Sequence, residues 1–377
     1  MKYSFLLLLG FFIWSCGSND QKSSSESSFS IVVSQDTLLV NTGEEIVMAG
    51  SNMWLSVLSE DKKMLYNLDR KSLNLEIFDL EELKLVKKAQ FNNDGPNALS
   101  AYVISMRNWS DGNLFLHGFD KSGVYDFEGN LIEKLSFHPV DYADSNPDTD
   151  FSFKSEYVFL NDSTVIIGLM SMFENIPSIA KLHLKQQKME LIDFPYAERL
   201  DKFSVVLDGD IMMASIGSVY KQKHGDKVLI HSNYFNDCLV FDPETQAYEQ
   251  IEYESQLTSN QKEGGHQQKV STREEFSEQQ KILRKQIEFG RWAWDDSNQN
   301  FYRLSYYDTS SFDNPESIQT RVFLTVFDSN LKMLAEKELE DYRKRPGSYF
   351  AKDGSLWIHE NVDDDLGFVR LKIERES

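Results

Sequence analysis

One unit keeps returning along this chain, and it restricts the possible folds more than any other feature. A strand ends in an apolar residue followed by Asp or a substitute, a short polar turn intervenes, and a second strand ends in an aromatic residue or Leu. The copies are Leu75-Glu76-Ile77-Phe78-Asp79 to Phe91, Val124-Tyr125-Asp126 to Phe137, Ala180-Lys181-Leu182-His183 to Phe194, Leu239-Val240-Phe241-Asp242 to Tyr253, and Leu324-Thr325-Val326-Phe327-Asp328 to Leu339. Ahead of each lies a further pair of short strands, such as Tyr102 to Arg107 with Leu114 to His117, or Arg291 to Trp294 with Phe301 to Ser305. Four short strands per unit, recurring at roughly 45 to 60 residues with one longer interval, is the pattern of β-propeller blades. The turns Asp111-Gly112-Asn113, Glu128-Gly129-Asn130 and Asp353-Gly354-Ser355 supply the positive-φ residues that tight hairpins need. Helical periodicity is nearly absent.

A sixth unit starts at Ser348-Tyr349-Phe350, runs through Leu356-Trp357-Ile358 and ends with Gly367 to Ile373, one strand short. At the other end the apolar segment Ile31 to Val40 is spare. Pairing it as the missing outer strand closes a ring and removes two exposed sheet edges. The expected fold is therefore all-β, a six-bladed β-propeller closed by an N-terminal strand. Seven blades stay open if the segment from Glu44 onward forms a separate sheet. One stretch breaks the pattern between the fourth and fifth blades: Glu254 to Gln268 is polar, and Thr272 to Glu288 reads as a helix. Thr272 can cap it with Glu275 three residues on, and Phe276, Leu283 and Ile287 fall on one side. This helical insertion is expected to lie over one face of the propeller.

The N-terminus has one positive charge at Lys2, an apolar run from Phe5 to Trp14, and then Ser15-Cys16-Gly17. That is the layout of a bacterial lipoprotein signal whose cysteine is lipidated. An ordinary signal peptide or a retained signal anchor is the alternative, and each of them exports the chain. Residues 1–16 then form the signal and lipid site, 17–28 a Ser-rich flexible tether, and 29–377 the propeller domain. Gly17, with no Asp beside it, directs the lipid on Cys16 towards an outer membrane; periplasmic and surface-facing orientations both stay open. Net charge is −21, which argues against a nucleic-acid partner, because phosphate affinity needs clustered Lys and Arg. Of the two cysteines, a lipidated Cys16 leaves Cys238 without a partner. Within Cys238-Leu239-Val240-Phe241 it reads as a small core residue and not as a nucleophile.

Taken with the lipid site, two further segments resemble the exported six-bladed β-propeller lipoproteins of unknown function that are abundant in Bacteroidota. They are Phe91-Asn92-Asn93-Asp94-Gly95-Pro96-Asn97 after the first blade, and Gly290-Arg291-Trp292-Ala293-Trp294-Asp295 leading into Tyr302-Arg303-Leu304-Ser305-Tyr306. The resemblance spans nearly the whole mature chain. It implies a fold and an address, and it carries over no catalytic residue.

His117, His231 and His359 follow apolar runs in the second strands of alternate blades, so a three-His metal site is conceivable about a near three-fold axis. Second strands stand away from the axis, which favours inter-blade packing instead. Asp141, Asp144, Asp148 and Asp150, and Asp363-Asp364-Asp365, lack calcium-loop spacing. No Gly-x-Ser-x-Gly elbow and no phosphate loop occurs, and Gly264-Gly265 is not followed by Lys-Ser/Thr. No cofactor is implied. A ligand would be met by the innermost strands and the loops entering them. By that rule the contacts are Asn93, Asp94, Asn97, Arg107, Trp109, Arg291, Trp292, Tyr342, Arg343 and Arg345. Rings with Arg and Asn suit a glycan or a polar peptide, and Arg343-Lys344-Arg345 suits an anionic group. The favoured function is a membrane-tethered, non-enzymatic binding or scaffold protein with a glycan or protein partner. The alternative is a propeller lyase or hydrolase acting on glycans, which needs two convergent carboxylates or a His and a metal.

Overall fold

The computed structural model describes residues 23–24, 29–47, 53–144, 151–171, 177–208, 213–309, 319–362 and 365–376. The signal segment and Cys16 lie outside them. Within the expected tether, Ser23–Ser24 run parallel to the strand Tyr248–Tyr253.

The fold is all-β and built from antiparallel sheets in a propeller-like arrangement. The first sheet comprises Ser56–Leu58, Met64–Asp69, Asn74–Asp79 and Lys84–Gln90; the second Val103–Asn108, Leu114–Gly118, Ser122–Tyr125 and Leu131–Leu135; the third Phe151–Asn161, Thr164–Ser171, Pro177–His183 and Lys188–Ile192. The fourth comprises Val219–His224, Lys227–Ser232, Asp237–Phe241 and Tyr248–Tyr253; the fifth Glu288–Asp295, Asn300–Asp308, Thr320–Asp328 and Met333–Glu338. In the sixth, Tyr349–Lys352, Ser355–Val362 and Asp365–Arg375 are completed by the N-terminal strand Ile31–Leu39. That strand pairs in unbroken antiparallel register from Ile31 opposite Arg375 to Leu39 opposite Gly367.

The recurring Asp has a local job. Asp79 accepts backbone N–H groups from Glu81 and Glu82, at 2.8 and 2.9 Å, and Asp126, Asp242 and Asp328 do the same in their own turns. Each carboxylate folds the chain back onto itself and so fixes the hairpin between the third and fourth strands. Asp111, Gly112, Gly129, Asp353 and Gly354 all take positive φ in the turns that the sequence marks.

Strands in the middle of each sheet are buried on both faces, and successive residues feed different cores. Val228 and Ile230 pack towards the third sheet, whereas Leu229 between them packs towards the fifth. Leu114 and Leu116 face the first sheet, and Phe115 faces the third. The clusters run in sequence between sheets one and two, two and three, three and four, four and five, and five and six. A further cluster joins Trp357, Leu366 and Phe368 of the sixth sheet to Leu65 and Phe78 of the first, and to Met53 just ahead of it. Cys238 is fully buried in one of these cores, and burial pushes its thiol up to about 12, far from reactivity at neutral pH.

The helix Arg273–Arg284 forms with the anticipated cap: Thr272 accepts from Glu275 N at 3.1 Å, and the Glu275 carboxylate accepts from Thr272 N at 3.2 Å. Phe276 and Leu283 are buried. It is not alone. A second inserted segment, between the third and fourth sheets, carries a short helix Ala197–Asp201 and the strands Val205–Leu207 and Met213–Ser215. Val205–Leu207 pairs in parallel with Lys269–Val270, so the two insertions share a small sheet and a core with the third and fourth sheets. Runs of three strand residues are too short to register in the sequence, and this segment leaves the spacing between the third and fourth units ordinary; the one longer interval, between the fourth and fifth, holds the helical insertion.

Candidate functional site

The first strands of all six sheets line one cavity of about 790 Å³. Three of them bulge where they reach it. In the third sheet, Lys154, Ser155 and Glu156 stand opposite the single residue Gly168, between the pairs Phe153–Leu169 and Tyr157–Ile167. In the fifth, Gly290 and Arg291 occupy a bulge opposite Leu304, and in the second the extra residue is Ile104. Bulges re-aim side chains that a regular pleat would bury. Gly290 is required at this point, because a Cβ there would press on Tyr349 Oη and come within 2.8 Å of Leu304 O.

Among the described residues, the charged side chains lining the cavity are Arg107, Lys154, Lys221, Arg291 and Arg345 with one carboxylate, Glu156. Glu156 is ion-paired with Arg291, whose guanidinium lies 4.6 Å above the Tyr220 ring. Burial alone would push the Glu156 carboxyl up; Arg291, with Arg107 and Lys221, outweighs it and holds the group below the ordinary carboxylate range. Arg345 bridges Glu288 at 2.9 Å and Asp308 at 3.3 Å and stacks on Tyr306 at 4.9 Å. Tyr349 donates to the Arg291 carbonyl and accepts from Leu304 N at 3.2 Å, tying the fifth sheet to the sixth. Burial, reinforced by the neighbouring Arg291 and Lys154, lowers Lys221 to about 8, and burial also lowers Lys154.

Of the residues singled out from the sequence, Arg107, Arg291 and Arg345 come together in this cavity. Trp292 does not: it is buried and stacks on Phe327 at 4.4 Å. Trp109 packs against Phe115 and Phe159, and buried Tyr342 donates to Glu360 at 2.6 Å. On a strand adjacent residues face opposite ways, so of the neighbours Arg291 and Trp292 one reaches the cavity and the other the core. Asn93 and Asp94 are exposed on the loop after the first sheet, where Asn97 accepts from Leu131 N at 3.3 Å and structures the link to the second. Arg343 is exposed, and its carbonyl accepts from Thr320 N.

His117, His231 and His359 sit in the second strands of the second, fourth and sixth sheets and are all buried. His117 bonds Ser122 Oγ at 2.9 Å among aromatic rings, and burial drops it to about 3. His231 packs on Tyr220 and Trp292. Among the described residues no group of three or more His, Cys, Asp or Glu is placed to hold a metal ion. Asp141 accepts from His138 N at 2.9 Å within a short turn; Asp148, Asp150, Asp363 and Asp364 lie outside the described residues. The sequence reading missed Lys154, Glu156, Lys221, Tyr220, Tyr306 and Tyr349. Lys154 and Glu156 alternate with Phe153 and Tyr157 on one strand, and charges in an otherwise apolar inner strand were the available signal.

Among the described residues, no helix is long and apolar enough to cross a membrane. No curated protein matches the chain. Two crystal structures share its fold. A protein from Bacteroides vulgatus ATCC 8482, a member of the DUF4221 family, is 14% identical with a TM-score of 0.69, over 93% of this chain and 100% of that one. A Bacteroides fragilis NCTC 9343 protein inferred to be exported is 11% identical with a TM-score of 0.54, over 94% of this chain and 100% of that one. The model of a domain of unknown function, DUF4221, matches residues 28–338, which spans the first five sheets and both insertions, and the chain belongs to that family.

Proposed function

We propose that this chain is a lipid-anchored, six-bladed β-propeller that binds a polar ligand of the cell envelope, a glycan or polar peptide, in its central cavity without transforming it. The observation that carries the reading is the cavity itself: about 790 Å³, within the size range of small-ligand sites, and lined by the first strands of six sheets. The cyclic succession of cores, with the sixth sheet packed on the first, supports the ring. Guanidinium groups held over tyrosine rings offer both forked hydrogen bonding and apolar faces to a ligand.

A glycan hydrolase or lyase would need two carboxylates facing one bond. In the cavity the carboxylate Glu156 is engaged by Arg291, which favours binding over turnover. The purified full-length chain, applied to glycan and peptide arrays beside its Arg291→Ala variant, tests the reading. Selective capture that weakens in the variant, with the captured ligand recovered intact, supports it; released fragments would instead establish an enzyme. The address rests on the signal and on Cys16, with the B. fragilis protein inferred to be exported in keeping with it. Metabolic labelling with a palmitate analogue should mark the outer-membrane fraction and be abolished by Cys16→Ser.

A further inference from the structure

Three of the cavity cations lack what buried cations ordinarily have. Lys154 Nζ meets the Met170 sulfur at 3.1 Å. Lys221 Nζ donates to the carbonyls of Glu156 and Val219, at 3.2 and 3.5 Å. Arg107 donates to the carbonyls of Met106 and Ser155, both at 2.8 Å. Among the described residues, no carboxylate lies within ion-pair distance of any of the three. The chain has 60 Asp and Glu against 39 Lys and Arg, so carboxylates were plentiful, yet the one placed here, Glu156, is taken up by Arg291. Gathering like charges in a partly desolvated cleft costs stability unless an anion joins them.

The backbone is shaped to keep the two lysines together. They pack over Gly168, where an added Cβ would stand 3.1 Å from Lys221 Nζ and 3.4 Å from Lys154 Cβ. The φ of Gly168 is not positive, so a side chain there would contest space with the two lysines and would not strain the backbone. The same cavity wall carries Tyr220, Tyr306 and Tyr349, and Trp54, which is 73% exposed. Such rings stack on sugar faces.

We infer that the cavity holds an oxyanion subsite in which Lys154, Lys221 and Arg107 receive a carboxylate or sulfate group of an acidic saccharide. This rests on the binding reading above and names the class of ligand for it. Isothermal titration of the full-length chain at constant ionic strength and pH 7, with glucuronate, inorganic sulfate, glucose and an acidic tripeptide as probes, tests it. Glucuronate should bind more tightly than either sulfate or glucose. Lys154→Met and Lys221→Met should each weaken glucuronate and sulfate at least tenfold while leaving glucose unchanged. Gly168→Ala, which deletes no charge, should weaken the same two probes by crowding the lysines, and matching melting curves would show that the variants fold. The assignment is overturned if sulfate and glucuronate bind the wild type and the lysine variants alike, or bind neither. If glucose binds while the oxyanions do not, the cavity remains a binding site and only the anionic class falls. Preference for the tripeptide over glucuronate would replace the saccharide with an acidic peptide.

Discussion

Arg370, near the end of the chain, grips Asp36 of the N-terminal strand with both arms of its guanidinium, Nε to Oδ1 at 2.9 Å and Nη2 to Oδ2 at 2.6 Å. Lys372 adds a contact at 3.1 Å. The two residues are direct partners in the register that joins the chain's ends. The Arg370 hydrogen bond is the main reason the Asp36 carboxyl falls to about 2, with burial opposing it and Lys372 helping. Unfolding returns the group to its ordinary value of roughly 3.9, so the unfolded state binds more protons as pH falls between the two values. The pair's stabilisation is therefore full above about pH 4 and lost as pH falls through about 2. Asp36 is 37% exposed, which limits the effect to roughly 0.5–1 kcal/mol. Asp36→Asn should lower the unfolding free energy extrapolated from urea titrations by that amount at pH 7, with the loss fading as pH falls through about 2. Equal values at pH 7 would show the clasp to be energetically idle.

Lys221 should be acylated more readily than an ordinary lysine near neutral pH. The groups facing it are Glu156, Lys154 and Arg291, and burial together with the two cations brings it to about 8. Competitive acetylation followed across pH should show it titrating well below ordinary lysines, whose value is roughly 10.4. Lys154→Met should move it upward, and Glu156→Gln downward. Because an oxyanion is held by the protonated amine, glucuronate affinity should fall as pH rises through about 8. An affinity flat from pH 6 to 9.5 would contradict this.

Trp292 and Arg291 should separate stability from binding. Trp292 lies 4.4 Å from Phe327 with ring planes 13° apart, and it lines no part of the cavity. Trp292→Ala should cost about 3–5 kcal/mol of folding stability, while Trp292→Phe should retain array binding. Arg291→Ala, at a residue whose side chain is 52% exposed, should leave the melting temperature nearly unchanged and weaken capture. The reverse pattern would relocate the site.

The inserted helix should fray from both ends under substitution. Thr272→Ala removes the N-terminal cap, at a cost of about 1 kcal/mol. At the other end the buried Lys262 donates to the carbonyls of Leu283 and Gln286, at 2.6 and 3.4 Å, and lies 3.5 Å from Glu288. Lys262→Met removes that donor from both carbonyls and leaves Leu283 O only its backbone partners, Gln286 N at 3.2 Å among them. Hydrogen exchange should show lost protection across Arg273–Arg284 in both variants, with the six larger sheets unchanged.

The hairpins were legible in the sequence because their causes are local. An apolar run of strand length, an Asp that accepts the next backbone N–H groups and a residue that tolerates positive φ act within a few positions of one another, and Asp79, Asp126, Asp242 and Asp328 behave alike wherever they stand. Thr272 and Glu275 announced the helix for the same reason. The spare strand Ile31–Leu39 could be assigned by counting, since a sheet one strand short and an unpartnered segment have one economical solution.

The binding residues were legible only in part. Arg107, Arg291 and Arg345 followed from the rule that first strands surround the axis, but Trp109, Trp292 and Tyr342 obeyed the same rule and went into the core. Pleat and bulge decide which of two neighbours turns inward, and a bulge depends on the partner strand. The convergence of Lys154, Lys221 and Arg107 depends on three different sheets, with Gly168 leaving room for the two lysines, and no stretch of chain encodes it by itself. The sequence alone determined the strands, the turns and the pairing of the ends, because backbone hydrogen bonding and side-chain alternation are short-range; tertiary structure alone decided where charge gathers, because that requires segments distant in the chain to surround one space.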